Sequence, residues 1–201
     1  MIENYVLYLN FIQEKLDRFF ASQKPYIFCK RGCGECCKHA QFPYSQIEAT
    51  YLMHGASKLD NETADIVMEN VKNILEAKNN FKGDLKNFDY DCPFLINNEC
   101  CVYEYRGLIC RSFGLMEYVE GGGVNIPFCY RLGLNYSNVI DHKTETGKPR
   151  VSAERFKELG VKEEPSGFNT NYKFLTDEDF AKGFHFEFGE KKPLIQWFEN
   201  K

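Results

Sequence analysis

Apolar side chains recur at helical spacing in the first part of the chain, with polar residues between them. Between residues 4 and 20, Asn10, Glu14 and Asp17 interrupt the apolar positions. A period near 3.6 residues is typical of an amphipathic helix that buries one face. We therefore predict a helix over residues 4–20 that ends towards Pro25. Its apolar face consists of Val6, Leu9, Ile12, Leu16, Phe19 and Phe20.

Two further helices are predicted from their starting signals. Ser45 precedes Glu48 by three positions, which is the capping-box pattern, and the helix that it starts runs to Gly55. Asn61 is the predicted cap of the next helix, which ends before Gly83. The apolar face of that helix consists of Ala64, Val67, Met68, Val71, Ile74 and Leu75.

The stretch from Asp91 to Phe113 is rich in cysteine and predicts short extended segments. Asn97-Asn98 is predicted to be a turn, because asparagine tolerates positive φ. This turn would let Cys92 and Cys100 face each other. Spacings of i+3 and i+4 further along predict that three residues share one helical face: Tyr103, Arg106 and Cys110.

A second hairpin is predicted around a glycine-rich turn. Its strands are Leu115–Val119 and Val124–Phe128, and residues 120–123 form the turn. A hairpin that leaves near Cys110 returns near it, so we expect Cys129 to lie beside Cys110.

The rest of the chain predicts shorter elements. Asp141–Arg150 is polar and is predicted to be a surface loop. A short helix is predicted over residues 151–159, and Thr176 marks the start of another. The alternation in Phe184–Phe188 predicts a strand, and Pro193 opens a closing helix.

Composition indicates a globular protein and narrows its partners. The 201 residues are 43% hydrophobic, which is enough for a core without cross-links. The net charge of −4 argues against binding to nucleic acid, since phosphate-binding surfaces carry a basic excess. The first residues show no basic segment followed by an apolar run, so we predict neither a signal peptide nor a membrane span. We therefore expect a cytoplasmic protein.

The feature most specific for function is the run Cys29–Cys37, which holds four of the nine cysteines. Closely spaced thiolates bind one soft metal ion or cluster. Gly32 and Gly34 can adopt the positive φ that turns successive sulfurs towards one centre. In a reducing cytoplasm such cysteines are metal ligands rather than disulfides. The odd total and the adjacency of Cys36 and Cys37 also argue against a disulfide framework.

The spacing within this run favours an iron–sulfur cluster over zinc. Cys29, Cys33 and Cys36 are separated by three residues and then by two, which are gaps of the kind found in iron–sulfur proteins. A tetrahedral zinc site typically uses two short cysteine pairs, and this alternative stays open. His39 is a further candidate, because histidine can replace cysteine as a ligand.

Three motifs in one order resemble those of a known family. They are Cys29–Cys37, Cys92-Pro93-Phe94-Leu95, and the segment from Cys100 through Val102, Tyr103 and Arg106 to Cys110-Arg111. Over residues 29–129 the chain resembles the YkgJ-like cysteine-cluster proteins, whose CxxCxxCC domain is described as zinc- or iron-chelating. The resemblance implies that the metal ligands are Cys29, Cys33, Cys36, Cys37, Cys92, Cys100, Cys110 and Cys129. Cys101 is then an extra cysteine that we expect not to bind metal.

The same resemblance extends to the cysteine-rich part of flagellin lysine N-methylases, where the domain is associated with an iron–sulfur cluster. It therefore implies a cluster of the [4Fe–4S] type in this chain. The chain departs from the family pattern in two places. The first gap has three residues where the family name implies two, and Gly107 stands where the family often has proline.

Two arginines are candidates for tuning the metal site. A guanidinium group one helical turn from Cys110 could donate a hydrogen bond to a sulfur atom and shift its potential. Arg106 and Arg111 are spaced for this role. The alternative for each is a surface salt bridge with Glu104 or Glu117.

We interpret these elements as an α+β, mainly helical fold with a small cysteine-lined metal site. The prediction is a single domain over residues 1–201, with the metal-binding region at 29–129 and a C-terminal extension at 130–201 packed on it. The segment Cys92–Cys110 and the hairpin that bears Cys129 are expected to close the site.

Three functions remain open. The first is an iron–sulfur protein that serves redox chemistry or supports a partner's chemistry. The second is a structural zinc protein that binds a protein partner through its aromatic C-terminal third. The third is an enzyme of the protein lysine methylase type, although Gly121–Gly123 lies in a predicted hairpin turn rather than in a cofactor-binding loop. The sequence leaves both enzymatic activity and oligomeric state open.

Overall fold

The structure is a computed structural model that describes residues 2–141, 144 and 148–199. In this part of the chain the α-helices are α1 (Ile2–Ser22), α2 (Gln46–Ala56), α3 (Asn61–Asn80), α4 (Leu108–Ser112), α5 (Ala153–Leu159), α6 (Tyr172–Leu175) and α7 (Glu178–Gly183). The strands are β1 (Pro43–Ser45), β2 (Leu95–Ile96), β3 (Glu99–Cys100), β4 (Met116–Tyr118), β5 (Val124–Asn125), β6 (Ile140–Asp141), β7 (Arg150–Val151), β8 (Gly167–Phe168) and β9 (Lys191–Pro193). Short 3₁₀ helices lie at Lys24–Tyr26, Glu35–Lys38, Leu85–Asn87, Tyr103–Tyr105, Phe128–Leu132 and Leu194–Phe198. The prediction of an α+β, mainly helical fold is confirmed.

The chain divides into two compact units, which are described separately. Unit 1 comprises Met1–Tyr8, Arg31–Cys110 and Thr176–Lys201, and unit 2 comprises Leu9–Lys30 and Arg111–Leu175. The predicted single domain, with its boundaries at residues 29, 129 and 130, stays a prediction.

The helices with the clearest sequence patterns form as predicted. The helix predicted over residues 4–20 is α1. In α2 the Ser45 hydroxyl accepts a hydrogen bond from the Glu48 N–H, and the Glu48 carboxylate accepts one from the Ser45 N–H. This reciprocal pair is the predicted capping box, which satisfies two backbone donors that a helix start leaves unpaired.

Aromatic packing joins the first and last segments of unit 1. The ring of Tyr8 lies 5.3 Å from that of Phe184 and 5.7 Å from that of Phe188, between centroids. The ring of Tyr5 lies 5.7 Å from that of Phe186. The last segment also supplies β9, which pairs antiparallel with β1. These contacts fix the strand from which α2 starts.

The strand predicted at Phe184–Phe188 is wrong. α7 ends at Gly183, β9 begins at Lys191, and the residues from Phe186 to the start of β9 have no regular secondary structure. Phe186 and Phe188 are buried as the alternation required. Aromatic side chains of α1, rather than a neighbouring strand, cover these two residues. The alternation of buried and exposed positions therefore does not require a sheet here.

Unit 2 is built around a small mixed sheet. β4 pairs antiparallel with β5 and parallel with β8, which confirms the hairpin predicted around residues 120–123. β6 pairs with β7, and residues 142, 143 and 145–147 of the loop predicted over Asp141–Arg150 lie outside the described residues. The helix predicted over residues 151–159 is α5. The core of the unit contains Tyr26, Met116, Ile126, Tyr130, Tyr136, Val139 and Ile140.

Two helix caps lie one position from the predicted residues. The cap of α3 is Asp60 rather than Asn61, and the Asp60 Oδ1 atom accepts a hydrogen bond of 2.9 Å from the Thr63 N–H. The cap of α7 is Asp177 rather than Thr176. In both places two residues capable of capping are adjacent, and the aspartate carboxylate supplies the acceptor.

The helical face predicted to carry Tyr103, Arg106 and Cys110 is also wrong. A 3₁₀ helix ends at Tyr105, Arg106 is extended with φ −64° and ψ 148°, and α4 begins only at Leu108. No single helix therefore carries all three residues, because the chain is extended at Arg106, between the 3₁₀ helix that contains Tyr103 and the α-helix that contains Cys110.

The closing helix predicted from Pro193 is present as the 3₁₀ helix Leu194–Phe198. Among the described residues, no helix combines the length and the apolar character needed to cross a membrane.

The cap of α3 can be tested with adjacent substitutions. Asp60→Ala should lower the thermal unfolding midpoint by about 3 °C, because the Thr63 N–H loses its acceptor. Asn61→Ala is the matched control and should change the midpoint much less. Hydrogen bonds from Thr63 lower the pKa of Asp60 below its ordinary value of 3.8. The stabilisation is therefore present above that pH, and it should disappear as the pH falls through the lowered pKa. Equal effects of the two variants at neutral pH would contradict the assignment.

Candidate metal centre

All nine cysteines lie in the described residues. Seven of them are half-buried and belong to unit 1: Cys33, Cys36, Cys37, Cys92, Cys100, Cys101 and Cys110. Cys29 is exposed and Cys129 is buried, and both belong to unit 2. The predicted approach of Cys129 to Cys110 therefore stays a prediction.

The first cysteine run is a tight loop that leads into a 3₁₀ helix. Gly32 and Gly34 have positive φ angles of 83° and 66°, as predicted. The 3₁₀ helix Glu35–Lys38 follows, and the Cys37 N–H donates to the Gly34 carbonyl oxygen at 2.9 Å. A Cβ atom on Gly34 would lie only 3.1 Å from the carbonyl oxygen of Asn98. The loop thus packs directly on the turn of the second cysteine-rich stretch.

The second stretch is a hairpin that is hydrogen-bonded to the first loop. β2 and β3 place Leu95 opposite Cys100, so the prediction that Cys92 faces Cys100 across the turn is wrong in its register. The turn Asn97-Asn98 has φ angles of 51° and 61°, the conformation that a two-residue hairpin requires. The Cys92 N–H donates to the Cys37 carbonyl oxygen at 2.7 Å. This bond brings the two cysteine-rich stretches together.

A buried carboxylate brings the third cysteine segment to the same region. The side chain of Glu48 is fully buried, and its Oε2 atom accepts hydrogen bonds from the N–H and hydroxyl of Ser45 at 2.9 and 2.7 Å. Its Oε1 atom accepts the Leu108 N–H at 2.8 Å. Leu108 is the first residue of α4 and Cys110 lies two residues further along, so one carboxylate joins the starts of α2 and α4.

Tyr44 makes a direct contact with a predicted ligand. Its hydroxyl oxygen lies 3.2 Å from the sulfur of Cys110 and 3.2 Å from the backbone nitrogen of Gly107. The Trp197 indole N–H donates to the Tyr44 carbonyl oxygen at 3.2 Å. Burial raises the pKa of Tyr44 well above its ordinary value of 10.0, and the charges of Cys110 and Cys92 raise it further. The hydroxyl therefore keeps its proton at neutral pH.

Several thiols interact electrostatically. Burial raises the pKa of Cys110 to about 12, with contributions from the charges of Cys36 and Cys100. Burial raises the pKa of Cys100 to about 11, with contributions from Cys101 and Cys36. A hydrogen bond with Cys37 raises the pKa of Cys36 above its ordinary value of 9.0, and burial raises it further. Without a metal the thiols of Cys36, Cys100 and Cys110 therefore keep their protons at neutral pH.

Cys92 completes this group. Burial raises the pKa of Cys92 well above its ordinary value of 9.0. The charge of Cys110 and, to a smaller extent, that of Cys100 raise this pKa further. Groups that shift one another's pKa lie close enough for their charges to interact. Five predicted ligands therefore share one electrostatic environment in unit 1: Cys36, Cys37, Cys92, Cys100 and Cys110.

Arg106 supplies a cation to this environment. Its charge lowers the pKa values of Cys36, Cys100 and Cys110, against the larger effects that raise them. The guanidinium carbon lies 3.5 Å from the centre of the Tyr103 ring, and Nη1 donates to the Tyr103 carbonyl oxygen at 2.8 Å. Stacking and hydrogen bonding to one residue therefore hold the cation in place.

The donor chemistry of this group fits a soft metal. Within the described residues, no three His, Cys, Asp or Glu side chains are already arranged as ligands of one metal ion. The thiols nevertheless include more sulfur donors than one tetrahedral ion needs, together with a cation that offsets thiolate charge. Metal binding releases thiol protons, so a bound cation would take over the compensation that the protons now provide.

Of the three remaining predicted ligands, Cys33 lies in unit 1, in the loop before the 3₁₀ helix Glu35–Lys38, whereas Cys29 and Cys129 belong to unit 2. The backbone N–H groups of Phe28 and Cys29 both donate to Asn135 Oδ1, at 2.9 and 2.8 Å. Asn135 is fully buried, and its Nδ2 atom donates to the Gly114 carbonyl oxygen at 2.9 Å. One asparagine side chain therefore fixes the backbone at Cys29. The role of each of the eight predicted cysteines as a ligand stays a prediction.

Two other candidates have defined partners. The Arg111 guanidinium is buried and donates to Gln13 Oε1 at 2.8 Å within unit 2. The Nδ1 atom of His39 lies 2.6 Å from Asp89 Oδ2. Tuning of the metal by Arg111 and ligation by His39 stay predictions.

The comparison with family models identifies the cysteine-rich region. Residues 28–130 match the model described as "CxxCxxCC: Putative zinc- or iron-chelating domain". The chain belongs to this family. The matched region contains every cysteine expected as a ligand, and the chain is therefore a metal-binding cysteine-cluster protein of the CxxCxxCC family. Searches of curated proteins and of solved structures each gave no match.

Sequence reasoning missed four residues that build the region around the cysteines. Glu48 had a signal, the capping box, but its second oxygen bonds a segment 60 residues away. Tyr44 had no sequence signal for its contact with Cys110, and the i+3 spacing of Tyr103 and Arg106 predicted a shared helical face but not the stacking of the guanidinium on the ring. Asn135 likewise gave no sign that it holds the backbone at Cys29.

Gly107 should be intolerant of a side chain. A Cβ atom there would lie 2.7 and 2.9 Å from two ring carbons of Tyr44 and 3.0 Å from Glu48 Oε1, and both neighbours are buried. We expect Gly107→Ala to lower the free energy of unfolding by roughly 1–3 kcal/mol, as overpacked cores do. Urea unfolding followed by circular dichroism measures the change.

Gly183→Ala is the matched control, because among the described residues no atom outside its chain neighbours and its own helix backbone lies within 4 Å of the added Cβ position, and its φ is not positive. It should change the free energy of unfolding by less than about 0.5 kcal/mol. A Gly107→Ala variant as stable as this control would show that the contact among Gly107, Tyr44 and Glu48 is not close in solution.

Proposed function

We propose that this chain holds an iron–sulfur cluster of the [4Fe–4S] type, for redox chemistry or for support of a partner's chemistry. The observation that carries the proposal is the shared environment of five cysteines in unit 1, on three of which the charge of Arg106 acts. Of these five, Cys36, Cys92, Cys100 and Cys110 are the four that we assign to the cluster, since each of them is a ligand that the family resemblance implies and each acts on, or is acted on by, at least one of the other three. The other cysteines that the family resemblance implies are left for a second metal or for redox work.

The arrangement of the segments supports a cluster over a single ion. The thiols come from a tight loop, a hairpin and the start of α4, which are separate in sequence. An iron–sulfur cluster is larger than one ion and accepts ligands from more widely spaced points. Cys36 and Cys37 are also adjacent, and two neighbouring cysteines rarely serve one tetrahedral zinc ion without strain.

The chain's own residues would bind the cluster and adjust its charge. Four thiolates would hold the iron atoms, and Arg106 would offset part of their negative charge. When bound, a [4Fe–4S] cluster supplies one-electron transfer chemistry. Burial and hydrogen bonding around the sulfurs are the means by which a protein sets the potential of such a group.

The structural zinc alternative uses the same cysteines and is separated from the proposal by experiment. The methylase-like alternative needs a substrate cavity beside the cysteines. A cavity of about 970 Å³ in unit 1 is lined by residues of α2 and of the segment 182–189, and no cysteine lines it. This cavity gives the methylase alternative no support.

Other expectations remain part of the proposal. We keep the closure of the site by the Cys92–Cys110 segment and by the hairpin bearing Cys129. We also keep a cytoplasmic location, where thiols stay reduced, and a possible protein partner. The negative net charge continues to disfavour nucleic acid as a partner.

Metal and acid-labile sulfide analysis tests the proposal. Protein purified without oxygen should be brown and contain about four iron and four sulfide per chain. Single serine substitutions at Cys36, Cys92, Cys100 and Cys110 should each lower both contents at least several-fold. Cys101→Ser is the matched control, because it removes a neighbouring thiol that we do not assign as a ligand, and it should retain the cluster.

Colourless protein with one or two zinc ions and no sulfide would contradict the cluster and leave the structural zinc site. Loss of iron in Cys101→Ser but not in Cys100→Ser would contradict the ligand assignment while retaining the cluster.

Arg106 provides a second test. Arg106→Gln removes the cation that acts on three of the assigned sulfurs, so we expect about tenfold weaker retention of iron under chelator challenge. Arg106→Lys keeps the positive charge, and its iron retention should lie between that of Arg106→Gln and that of the wild type. Arg31→Gln is the control, since Arg31 is exposed, pairs with Glu99 at 3.4 Å and lies 5.7 Å from the Tyr103 ring centre. Equal retention in all four proteins would show that Arg106 does not act on the site.

A further inference from the structure

The buried hydroxyl of Tyr44 lies between a backbone donor and a cysteine sulfur. The two distances, to the Gly107 nitrogen and to the Cys110 sulfur, are both 3.2 Å. An N–H group can only donate, so the hydroxyl oxygen accepts from Gly107 and its own proton is left for the sulfur. When a metal ion binds Cys110 and displaces the thiol proton, the sulfur can only accept a hydrogen bond. The geometry then fixes the direction of this hydrogen bond, from Tyr44 to Cys110.

The surroundings hold the Tyr44 ring in this position. The side chain is 2% exposed and packs in a cluster with Leu52, Phe94 and Leu194. The backbone is fixed by the pairing of β1 with β9, where Tyr44 lies opposite Lys192. A side chain held in this way presents its hydroxyl without losing further rotamer freedom.

Gly107 makes the approach possible. Its missing Cβ leaves room for the Tyr44 ring, as the distance of 2.7 Å to the nearest ring carbon shows. Its N–H group also orients the hydroxyl, which a proline at this position could not do because it has no N–H. The segment before Cys110 thus carries both the ligand and the group that directs the hydrogen-bond donor.

We propose that Tyr44 is a positioning residue for the metal centre, donating a hydrogen bond to the Cys110 thiolate and thereby setting how strongly that sulfur donates electrons to the bound metal. This inference rests on the proposed function, since it requires Cys110 to be a ligand. A hydrogen bond to a ligating sulfur stabilises its lone pairs, and residues that contact ligands in this way adjust both affinity and potential.

The test uses Co²⁺ as the probe, added to metal-free full-length chain without oxygen, because thiolate-to-cobalt charge-transfer bands report the sulfur directly. Tyr44→Phe keeps the ring that fills the core and removes only the hydroxyl. We expect a shift of the charge-transfer band to longer wavelength, since the sulfur lone pairs rise in energy when the hydrogen bond is lost. We also expect about tenfold weaker Co²⁺ affinity at neutral pH, since the thiolate that Co²⁺ requires is less stabilised. A purely structural role would lower affinity or stability without moving the band.

Tyr90→Phe is the matched control. Tyr90 is a buried tyrosine of the same unit on which the charge of Cys92 acts, but among the described residues its hydroxyl makes no hydrogen bond to a cysteine. It should leave both the band and the affinity unchanged. In a Cys110→Ser background, adding Tyr44→Phe should move the remaining band no further, since the coupled sulfur is gone.

The outcomes separate the two levels of the account. A wild-type chain that binds Co²⁺ without a sulfur charge-transfer band would contradict the proposed function itself. A wild-type band that Tyr44→Phe leaves in place, with circular dichroism showing a folded variant, would overturn only the role of Tyr44. An equal shift in Tyr44→Phe with and without Cys110 would also overturn it, because the hydroxyl would then act elsewhere.

Discussion

Thiolates gathered in one place repel one another, and this repulsion is the constraint on which the centre depends. In unit 1 the charges of Cys92, Cys100 and Cys110 act on one another, and burial raises the pKa of each thiol. Like charges that are removed from water cannot all ionise without compensation. In the metal-free chain the protons and the Arg106 guanidinium supply that compensation. A soft cation would replace the protons, which is why a group that is unfavourable as bare thiolates is suited to metal binding.

The fold brings the thiols together with few regular elements. The loop and the hairpin are joined by the hydrogen bond from the Cys92 N–H to the Cys37 carbonyl oxygen. The start of α4 is attached through Glu48, whose buried carboxylate also caps α2. Each connection satisfies a backbone group that would otherwise be unpaired in a buried place. Structural hydrogen bonds and the placement of the cysteines therefore depend on the same side chains.

Local patterns in the sequence predicted the features that depend on interactions between neighbouring residues. The helical period gave α1, the capping box gave α2, and Asn97-Asn98 gave the hairpin that carries Cys100. These features depend on residues close in sequence, so a single chain reveals them. The glycines beside Cys33 likewise had the positive φ angles expected of them.

Contacts between distant segments could not be predicted in this way. The alternation at Phe184–Phe188 was correct about burial but wrong about the strand, because aromatic packing from α1 replaced sheet pairing. The hydroxyl of Tyr44 contacts the sulfur of Cys110, which lies 66 positions away in the sequence, and no local sequence pattern at either residue predicts this contact. The metal itself, iron in a cluster or zinc, depends on the free energy of binding rather than on spacing alone.

The most direct test is a crystal structure of the protein purified without oxygen, with anomalous diffraction measured on both sides of the iron and zinc absorption edges. The account predicts an iron signal within bonding distance of the sulfurs of Cys36, Cys92, Cys100 and Cys110, with the Tyr44 hydroxyl still directed at Cys110. A zinc signal at these sulfurs would contradict the cluster. An iron signal located elsewhere in the chain would contradict the assignment of these four cysteines as ligands.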